Sequence, residues 1–334
     1  MWRTGSAARR KRERWVVKAS VVIVNWNRGA DAVDAVRSVR SQTVGAIETV
    51  VVDNGSTDDS VDRLRRVFPD LEIVCTGENL GCPEGRNRGI ARATGDVVFF
   101  LDDDGVFEPD VVERTLREFE AKPHLGAVSF KVVDFKSGRP DPPPGDDRAW
   151  VDRTFVTFAF RGGACALRRA AIDRVGAYPG EFFRQAEEAD LALRLHAAGY
   201  FVEYFPAAVM RHKGSTYGGK NRVVARLGMR NDLITVIKYV PAPSVFLFLA
   251  WKLWAHLRAV ARRGALVDWL AVALALPRLW LRYRPGPKIE RDVIWRFELL
   301  KYRPAASFED SLAAPVGLME VVRARSAALA SRRG

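Results

Sequence analysis

Short apolar runs alternate with helical patterns over residues 19–104. Residues 20–24 form a near-continuous β-branched run, as expected for a parallel strand that is covered on both faces. Similar runs at 49–52, 71–75 and 97–101 predict three more strands of this kind. The first part of the chain is therefore expected to contain four short, buried strands.

Helical patterns separate these runs. The three valines of residues 32–41 fall on one face of a predicted helix, and further helices are predicted at 58–68 and 85–93. Strand–helix–strand repetition at this spacing predicts an α/β fold with a Rossmann-like, doubly wound mixed sheet.

The rest of the chain is less regular. A loop rich in Pro and Gly is predicted at 134–148, and strand-like runs occupy 154–160 and 207–211. A helix is predicted from about 187 to 198. From about residue 222 onward the pattern is helical and rich in Trp, Leu and Arg.

Polar residues follow three of the predicted strands. They are Asn-Trp-Asn at 25–27, Asp-Asn at 53–54 and three aspartates at 102–104. A doubly wound sheet binds its ligands at the carboxyl ends of its strands. These three strand ends are therefore the first candidate site.

The adjacent carboxylates Asp102, Asp103 and Asp104 repel one another unless a cation or hydrogen-bond donors offset their charge. Hard oxygen ligands suit Mg²⁺ or Mn²⁺, which keep coordination positions open for substrate phosphates. Aspartate is also common in turns and helix caps. The triplet alone therefore supports a turn as well as it supports a metal site.

Two further segments also have both a structural and a functional interpretation. Residues 53–58 are typical of a tight turn with a helix N-cap at its serine or threonine, although a turn does not explain why Asp53 is acidic. The Gly-rich stretch 79–89 could hold an anion near Arg86, or could simply begin a helix with solvated arginines.

Three features near the end of this region have ordinary structural explanations when each is taken alone. Glu187 and Glu188 begin a predicted helix, where acidic residues favour the macrodipole. Asp190 and Arg194 have the spacing of an i,i+4 ion pair. His212 follows a strand-like run, and a lone histidine is more often a structural residue than a ligand.

Taken in order, these features resemble the family 2 glycosyltransferases, which have a nucleotide-diphosphosugar-binding fold of type A. The resemblance covers about residues 19–215. It rests on seven motifs in family order: Val21-Val22-Ile23-Val24-Asn25-Trp26-Asn27, Val51-Val52-Asp53-Asn54-Gly55-Ser56-Thr57-Asp58, Asn79-Leu80-Gly81 with Gly85-Arg86-Asn87, Leu101-Asp102-Asp103-Asp104, Gly162-Gly163, Glu187-Glu188-Ala189-Asp190-Leu191 with Arg194 and Gly199, and His212.

The resemblance implies roles for the residues that would bind the donor. Asp53 would accept a hydrogen bond from the nucleotide base, with Asn25 near it. Arg86 would be the cation beside the nucleotide. Asp102 and Asp103 would face the ribose and the sugar.

The resemblance also implies a metal site and a catalytic base. Asp104 ends the family's Asp-x-Asp pattern and would ligate Mn²⁺ or Mg²⁺, with His212 completing the coordination. The second residue of the acidic pair, here Glu188, would be the general base. The family usually has Asp at this position. The extra methylene of Glu188 leaves open whether Glu188 or Glu187 faces the acceptor.

Such an enzyme neutralises the leaving diphosphate with a metal and an arginine, while one carboxylate takes the proton of the attacking hydroxyl. The motifs of P-loop, dinucleotide, zinc-protease and serine-hydrolase sites do not occur in the sequence. We therefore expect an inverting, metal-dependent hexosyl or deoxyhexosyl transferase. Its donor would be a UDP- or dTDP-sugar, and its acceptor a saccharide or lipid-linked hydroxyl in cell-surface polysaccharide synthesis.

The alternative is a nucleotide-sugar-binding protein that has lost catalysis. The presence of Asp104, Glu188 and His212 argues against it.

Charge is distributed unevenly along the chain, whose net charge is +13. Residues 1–18 carry a net +6, residues 19–210 a net −8, and residues 211–334 a net +15. A basic region on an acidic body indicates docking on an anionic partner, either a membrane surface or nucleic acid. The acidic body and the Trp- and Leu-rich basic end favour the membrane, so no nucleic-acid partner is expected.

These patterns divide the chain into a basic tail at 1–18, a catalytic domain at 19–220 and a helical region at 221–334. Aromatic and basic residues at the density of the last region are typical of helices among anionic headgroups. We expect a C-terminal, membrane-interfacial extension on the cytoplasmic face. Packing of these helices on the core or on a second copy is the alternative.

Composition limits the remaining possibilities. An apolar fraction of 48% is too high for a disordered chain. The three cysteines, Cys75, Cys82 and Cys165, form no CxxC pair, which predicts a reduced chain without a zinc ribbon.

The basic start precedes an apolar run that Lys18 interrupts and that lacks a cleavage site, so we expect no signal peptide. No uncharged apolar stretch reaches 18 residues.

Overall fold

The structure is a computed structural model that describes residues 17–145, 148–214, 222–261 and 266–331. Residues 1–16 of the predicted basic tail, and residues 146–147 of the predicted loop, lie outside this range. The elements below are numbered in chain order.

All of the strands and helices predicted for the first part of the chain are confirmed. The strands are β1 (Ala19–Asn25), β2 (Glu48–Asp53), β3 (Glu72–Cys75) and β4 (Val97–Asp102). The helices are α1 (Gly29–Arg40), α2 (Ser60–Val67) and α3 (Cys82–Arg92).

These four strands form the parallel half of one mixed sheet, in the order β3-β2-β1-β4. The register pairs Asn25 with Asp53 on one side of β1, and Val24 with Asp102 on the other. The polar ends of β1, β2 and β4 therefore lie side by side at one sheet edge, as the sequence predicts.

The second half of the sheet contains antiparallel and parallel pairs. Its strands are β5 (Gly105–Phe107), β6 (Leu125–Asp134), β7 (Phe155–Thr157), β8 (Ala164–Arg168) and β9 (Phe201–His212). The order continues from β4 as β8-β6-β9-β5, and β7 pairs with β9. Gly105 pairs with His212, which brings the end of β9 next to the aspartate triplet.

Helices cover both faces of the sheet. Three more helices belong to this part of the chain: α4 (Val111–Ala121), α5 (Arg169–Val175) and α6 (Glu187–Ala197). Helices α1, α2 and α4 bury their apolar faces on one side, and the three valines of α1 are all in that core. Helices α3, α5 and α6 contribute to the core on the other side.

Two local predictions are wrong. The run at 154–160 forms a strand only over Phe155–Thr157. The turn after β2 also lacks the predicted cap, because α2 begins at Ser60, and neither Ser56 nor Thr57 caps it. Instead, Asn27 Oδ1 accepts hydrogen bonds from the backbone amides of Thr57 and Asp58, 2.7 and 3.3 Å away.

The C-terminal region is helical, as predicted. It contains α7 (Arg222–Tyr239), α8 (Ser244–Ala261), α9 (Leu266–Tyr283), α10 (Arg291–Leu300), α11 (Phe308–Ala313) and α12 (Leu318–Ser331). Buried residues of α7 to α10 join the same apolar core as α3, α5 and α6. None of the helices in the described ranges has both the length and the apolar content needed to cross a bilayer. The division at residues 220 and 221 stays a prediction.

Candidate active site

Asp104 lies at the centre of a cluster of charged groups at the end of β4. Its side chain is 4% exposed, and its Oδ1 lies 3.1 Å from His212 Nε2. Its other oxygen pairs with Arg28, which follows the end of β1. The pairing of β5 with β9 places His212 here, and the Lys213 amide donates to the Asp104 carbonyl over 2.9 Å.

Asp102, Asp104 and His212 form a candidate metal site. Each offers one ligand atom, and these atoms lie within 4.8 Å of one another. Two carboxylates and an imidazole suit Mn²⁺, and Mg²⁺ takes carboxylate oxygens. The residues present therefore fit a divalent ion.

The charges around Asp104 change its titration and that of His212. Burial works to raise the pKa of Asp104, but hydrogen bonds and charges from His212 and Arg28 outweigh it and hold that pKa below its usual value. The hydrogen bond to Asp104 in turn raises the pKa of His212. A divalent ion would take the place of the proton on His212, because imidazole ligates metals in its neutral form.

Asp103 contacts residues that directly follow the end of β1. The Trp26 backbone amide donates to its Oδ2 over 3.1 Å, and Arg28 Nη1 lies 3.7 Å from its Oδ1. Burial, with the neighbouring carboxylates of Asp102 and Asp104, raises the pKa of Asp103 to about 7. Asp103 therefore belongs to the β1 side of the site.

Asn25 and Asp53 form a buried polar pair at the ends of β1 and β2. Asn25 Nδ2 donates to Asp53 Oδ1 and to Ser56 Oγ, both over 3.1 Å. The Ser56 amide donates to Asp53 Oδ2 over 3.1 Å. Asn25 Oδ1 is buried and has no hydrogen-bond partner among the described residues. These hydrogen bonds fix the Asp53 carboxylate against the ends of β1 and β2.

Arg86 links the aspartate triplet to the acidic pair. Its side chain is 8% exposed, and its Nη1 lies 3.2 Å from Glu187 Oε1 and 3.6 Å from Glu188 Oε1. Its Nη2 lies 3.7 Å from Asp102 Oδ1. Helix α3 carries Arg86 and α6 carries both glutamates, so the two helices meet at this charged contact.

The two glutamates differ in their surroundings. The Glu187 side chain is 3% exposed and holds Arg86, whereas the Glu188 side chain is 22% exposed. Burial raises the pKa of Glu188 to about 8, with the Glu187 carboxylate adding to the shift and Arg86 opposing it. Glu188 is therefore the better placed of the two to exchange a proton with a ligand.

The Gly162–Gly163 turn makes room for these carboxylates. A Cβ on Gly163 would lie 1.8 Å from the carboxyl carbon of Asp102, and one on Gly162 would lie 2.3 Å from Glu188 Oε1. Because real Cβ atoms do not approach so closely, any side chain here would displace the acidic groups.

One cavity of about 380 Å³ joins most of the predicted site residues. Arg86, Asp102, Glu187, Glu188 and His212 all line it. Four predicted site residues do not belong to its lining: Asn25 and Asp53 at the ends of β1 and β2, and Asp103 and Asp104 just after β4. The predicted roles of all these residues stay predictions.

Sequence reasoning missed several basic residues of the site. Arg28, which contacts two aspartates of the triplet, follows the Asn-Trp-Asn motif directly, and that position was its only signal. Arg161 and Arg184 also line the cavity. Arg161 precedes the Gly-Gly turn, but nothing in the sequence distinguishes Arg184 from a solvated arginine.

Comparison with known sequences identifies relatives of the chain. Residues 20–176 match the family described as Glycosyl transferase family 2. A glucosyl-dolichyl phosphate glucuronosyltransferase from Haloferax volcanii is 30% identical over 218 residues, which cover 59% of this chain and 69% of the relative. An N-acetylglucosaminyl-diphospho-decaprenol L-rhamnosyltransferase from Mycobacterium tuberculosis is 27% identical over 237 residues, 59% of this chain and 77% of the relative.

Solved structures share the fold. A mannosyltransferase from Pyrobaculum calidifontis in complex with GDP-Man and Mn²⁺ has a TM-score of 0.55 and 21% identity, covering 81% of this chain and 84% of its own. S. aureus TarS in complex with UDP-GlcNAc has a TM-score of 0.59 and 15% identity, covering 95% of this chain and 92% of its own. At these identities the likeness establishes the fold alone, which is the predicted type A architecture with additional C-terminal helices.

Proposed function

The chain belongs to glycosyltransferase family 2, and from this premise we propose that it catalyses inverting transfer of a hexose or deoxyhexose from a UDP- or dTDP-sugar. The acceptor is the hydroxyl of a saccharide, carried on a lipid in cell-envelope polysaccharide synthesis. The single observation that carries the proposal is one cavity lined by Arg86, the acidic pair and two members of the candidate metal site, Asp102 and His212. In it, Arg86 contacts both Asp102 and Glu187. Such a cavity can hold a leaving group and a proton acceptor at opposite ends.

The two ends of the site have separate tasks in this proposal. A bound Mn²⁺ or Mg²⁺ supplies charge neutralisation for the departing diphosphate. Asp104 and His212 would hold that ion. Asp102, which lies in the same cluster, and Asp103 would face the ribose and the sugar. Asp53 and Asn25 would bind the nucleotide base, and Arg86 would add positive charge beside the nucleotide.

Glu188 is the proton acceptor. As the acceptor oxygen bonds to the anomeric carbon, the bond from that carbon to the diphosphate breaks and its electron pair leaves with the diphosphate. The hydroxyl proton passes to a carboxylate oxygen of Glu188. Arg86 holds Glu187 beside it and so fixes the start of α6. Attack from the face opposite the leaving group inverts the anomeric configuration, as in the two-carboxylate inverting glycosidases.

The relatives support a lipid-linked acceptor. The Haloferax enzyme is named for a glucosyl-dolichyl phosphate, and the Mycobacterium enzyme for an N-acetylglucosaminyl-diphospho-decaprenol. Both of these compounds are polyprenyl carriers with a sugar attached. With a membrane-bound acceptor, the basic, aromatic C-terminal region would hold the enzyme at the surface that carries its substrate.

A donor screen tests the proposal directly. The thermal midpoint of the protein is measured with UDP-, dTDP- and GDP-sugars, each with and without Mn²⁺. A donor that binds only the folded state at 100 times its Kd stabilises the protein by about 2.7 kcal/mol. We expect an upward shift of several degrees with one UDP- or dTDP-sugar, largest when Mn²⁺ is present. If no nucleotide sugar raises the midpoint, the proposed activity is wrong.

The C-terminal helices present an apolar surface to solvent, which we assign to the membrane. The exposed apolar residues of α8 and α9 are Phe246, Leu247, Trp254, Leu266, Val267, Leu270, Leu274 and Leu281. Arg258 and Arg325 both lie over the Trp254 ring, 4.8 and 5.7 Å from its centroid. Apolar side chains bordered by cations suit the headgroup region of an anionic bilayer. We propose a peripheral location on the cytoplasmic face.

Vesicle binding checks this assignment. Replacing Phe246 and Leu274 with serine removes side chains that are 61% and 79% exposed, so the fold is expected to survive. We expect the parent to sediment with anionic phosphatidylglycerol vesicles, less at high salt, and the double variant to lose most of this binding. Val67→Ser, which changes an exposed valine on α2, is the matched control. Equal sedimentation of the parent and the double variant would contradict a membrane role for this surface.

A further inference from the structure

The segment that leads into α6 has an unusual backbone. Phe183, Gln185 and Ala186 have φ angles of 61°, 75° and 67°. Side chains other than glycine rarely adopt this left-handed region, and three such residues among four persist only when their surroundings hold them there. We call residues 182–186 the α6 elbow. Glu187 and Glu188 follow it directly.

Asn231 of helix α7 holds the elbow from one side. The Asn231 side chain is fully buried, and its Nδ2 donates to the carbonyl oxygens of Phe182, Arg184 and Gln185 over 3.1, 3.0 and 2.8 Å. Its Oδ1 accepts a hydrogen bond from Arg230 Nε over 3.0 Å. The two N–H groups of one amide therefore bind three carbonyls of a strained segment, with one hydrogen shared between two of them. The amide oxygen is fixed by a neighbour.

Helix α3 also holds the elbow. The Cys82 amide donates to the Phe183 carbonyl over 2.9 Å. A Cβ on Gly81 would lie 2.3 Å from the same oxygen, so the close approach requires glycine. The elbow is thus bound between α7 and the start of the helix that carries Arg86. Arg184 and Gln185 of the elbow line the same cavity as the acidic pair.

We propose that Asn231 is a positioning residue for the acidic pair, so that a helix of the C-terminal region forms part of the catalytic apparatus. The inference rests on the proposed function, in which Glu188 accepts the proton. Asn231 fixes the backbone of the elbow, and the elbow sets where Glu187 and Glu188 stand relative to Arg86. Neither the distance along the chain nor the helical pattern around residue 231 indicates this link.

Asn231→Asp tests the proposal with little change of shape. A carboxylate offers no donor to the three carbonyls, so the elbow loses its clamp. Displacement of a catalytic group by about 1 Å lowers turnover by about 10²-fold. We expect kcat to fall by about this factor, while the KM for the donor stays within about two-fold because Asn25, Asp53 and the triplet lie on other elements.

Thr235→Val is the matched control. Thr235 lies one turn further along α7, and its hydroxyl donates to the Asn231 backbone carbonyl over 3.1 Å rather than to the elbow. Its kcat is expected to match that of the parent. If Asn231→Asp does not fold, Asn231→Ser keeps one donor and is measured in its place.

Glycine at residue 186 offers a rescue. Glycine adopts the left-handed region without strain, so Ala186→Gly lets the elbow keep its shape with a weaker clamp. Added to Asn231→Asp, it is expected to restore kcat by about five-fold. A residue needed only for global stability would give no such recovery of kcat at saturating donor.

Hydrogen exchange gives a readout that needs no donor. In Asn231→Asp the amides over residues 181–190 are expected to exchange at least about ten-fold faster, while those of β1 and β4 keep the rates of the parent. Unchanged exchange in this segment overturns the clamp. Faster exchange with an unchanged kcat, or a fallen kcat with unchanged exchange, overturns the positioning role. If the parent transfers no sugar at all, the proposed function fails, and the exchange result still decides whether Asn231 holds the elbow.

Discussion

Glu188→Gln is expected to lower sugar transfer by on the order of 10²-fold or more while leaving donor binding intact. The amide keeps the shape of the side chain but cannot take the proton of the acceptor hydroxyl. Arg86 keeps its hydrogen bond to Glu187, so the link between α3 and α6 survives the change. The measurement is the initial rate of transfer at saturating donor, beside the thermal shift that the donor produces.

Glu187→Gln is the comparison that identifies the base. Glu187 is nearly fully buried and pairs with Arg86 more closely than Glu188 does. Its replacement is expected to disturb the position of Arg86 and to lower the rate less than Glu188→Gln. If Glu188→Gln is nearly as active as the parent and Glu187→Gln is inactive, the two roles are reversed.

The dependence of kcat/KM on pH gives an independent test of Glu188 as the base. Burial, with the carboxylates of Glu187 and Asp102, raises the pKa of Glu188 to about 8, and the Arg86 guanidinium opposes this shift. A general base acts only when deprotonated, so kcat/KM of the parent should rise with pH up to about 8 and level off above it. The residual rate of Glu188→Gln should lack this rise. A parent profile that falls over the same range would contradict the assignment.

Removal of the metal is expected to abolish transfer. The charge stabilisation that a divalent ion gives a departing diphosphate amounts to several kcal/mol, which corresponds to at least about 10²-fold in rate. Chelator should therefore stop the reaction, and added Mn²⁺ should restore it.

Asp104→Asn should reproduce this loss. It should also weaken Mn²⁺ binding measured by electron paramagnetic resonance, because it removes one charge from the cluster of Asp102, Asp104 and His212. Asp103→Asn, which changes a carboxylate outside that cluster, should keep most of the Mn²⁺ binding. Full turnover in chelator would rule out a metal-dependent mechanism.

The parts of the fold that the sequence predicted are those set by local pattern. Strand β1 is a run of buried β-branched residues, and such a run allows little besides a strand covered on both faces. The three valines of α1 repeat at helical spacing and are all buried. The short strand β7 was overestimated, since its apolar neighbours Phe158 and Phe160 pack into the core without pairing in the sheet.

The residues of the candidate site likewise include some that the local sequence indicates and others that it does not. The aspartate triplet and the acidic pair stand out because adjacent carboxylates are costly unless something offsets their charge. Arg28 and Asn231 do not stand out, because an arginine after a strand and an asparagine within a helix are ordinary residues locally. Their importance comes from partners more than 40 residues away, Asp104 and the α6 elbow. Only the folded chain shows such pairings.

The contact of Arg28 with Asp104 has a consequence for how the protein would behave without the divalent ion proposed for this site. Arg28 and His212 already balance the most buried carboxylate of the triplet, so the fold carries an internal counter-ion. Loss of the ion then leaves no buried, unpaired negative charge at Asp104 to drive unfolding. Under the proposed metal dependence, the supply of Mn²⁺ or Mg²⁺ would set how many copies are active and not how many stay folded. On the same proposal, a cell short of the ion would keep folded, inactive enzyme that regains activity when the ion returns.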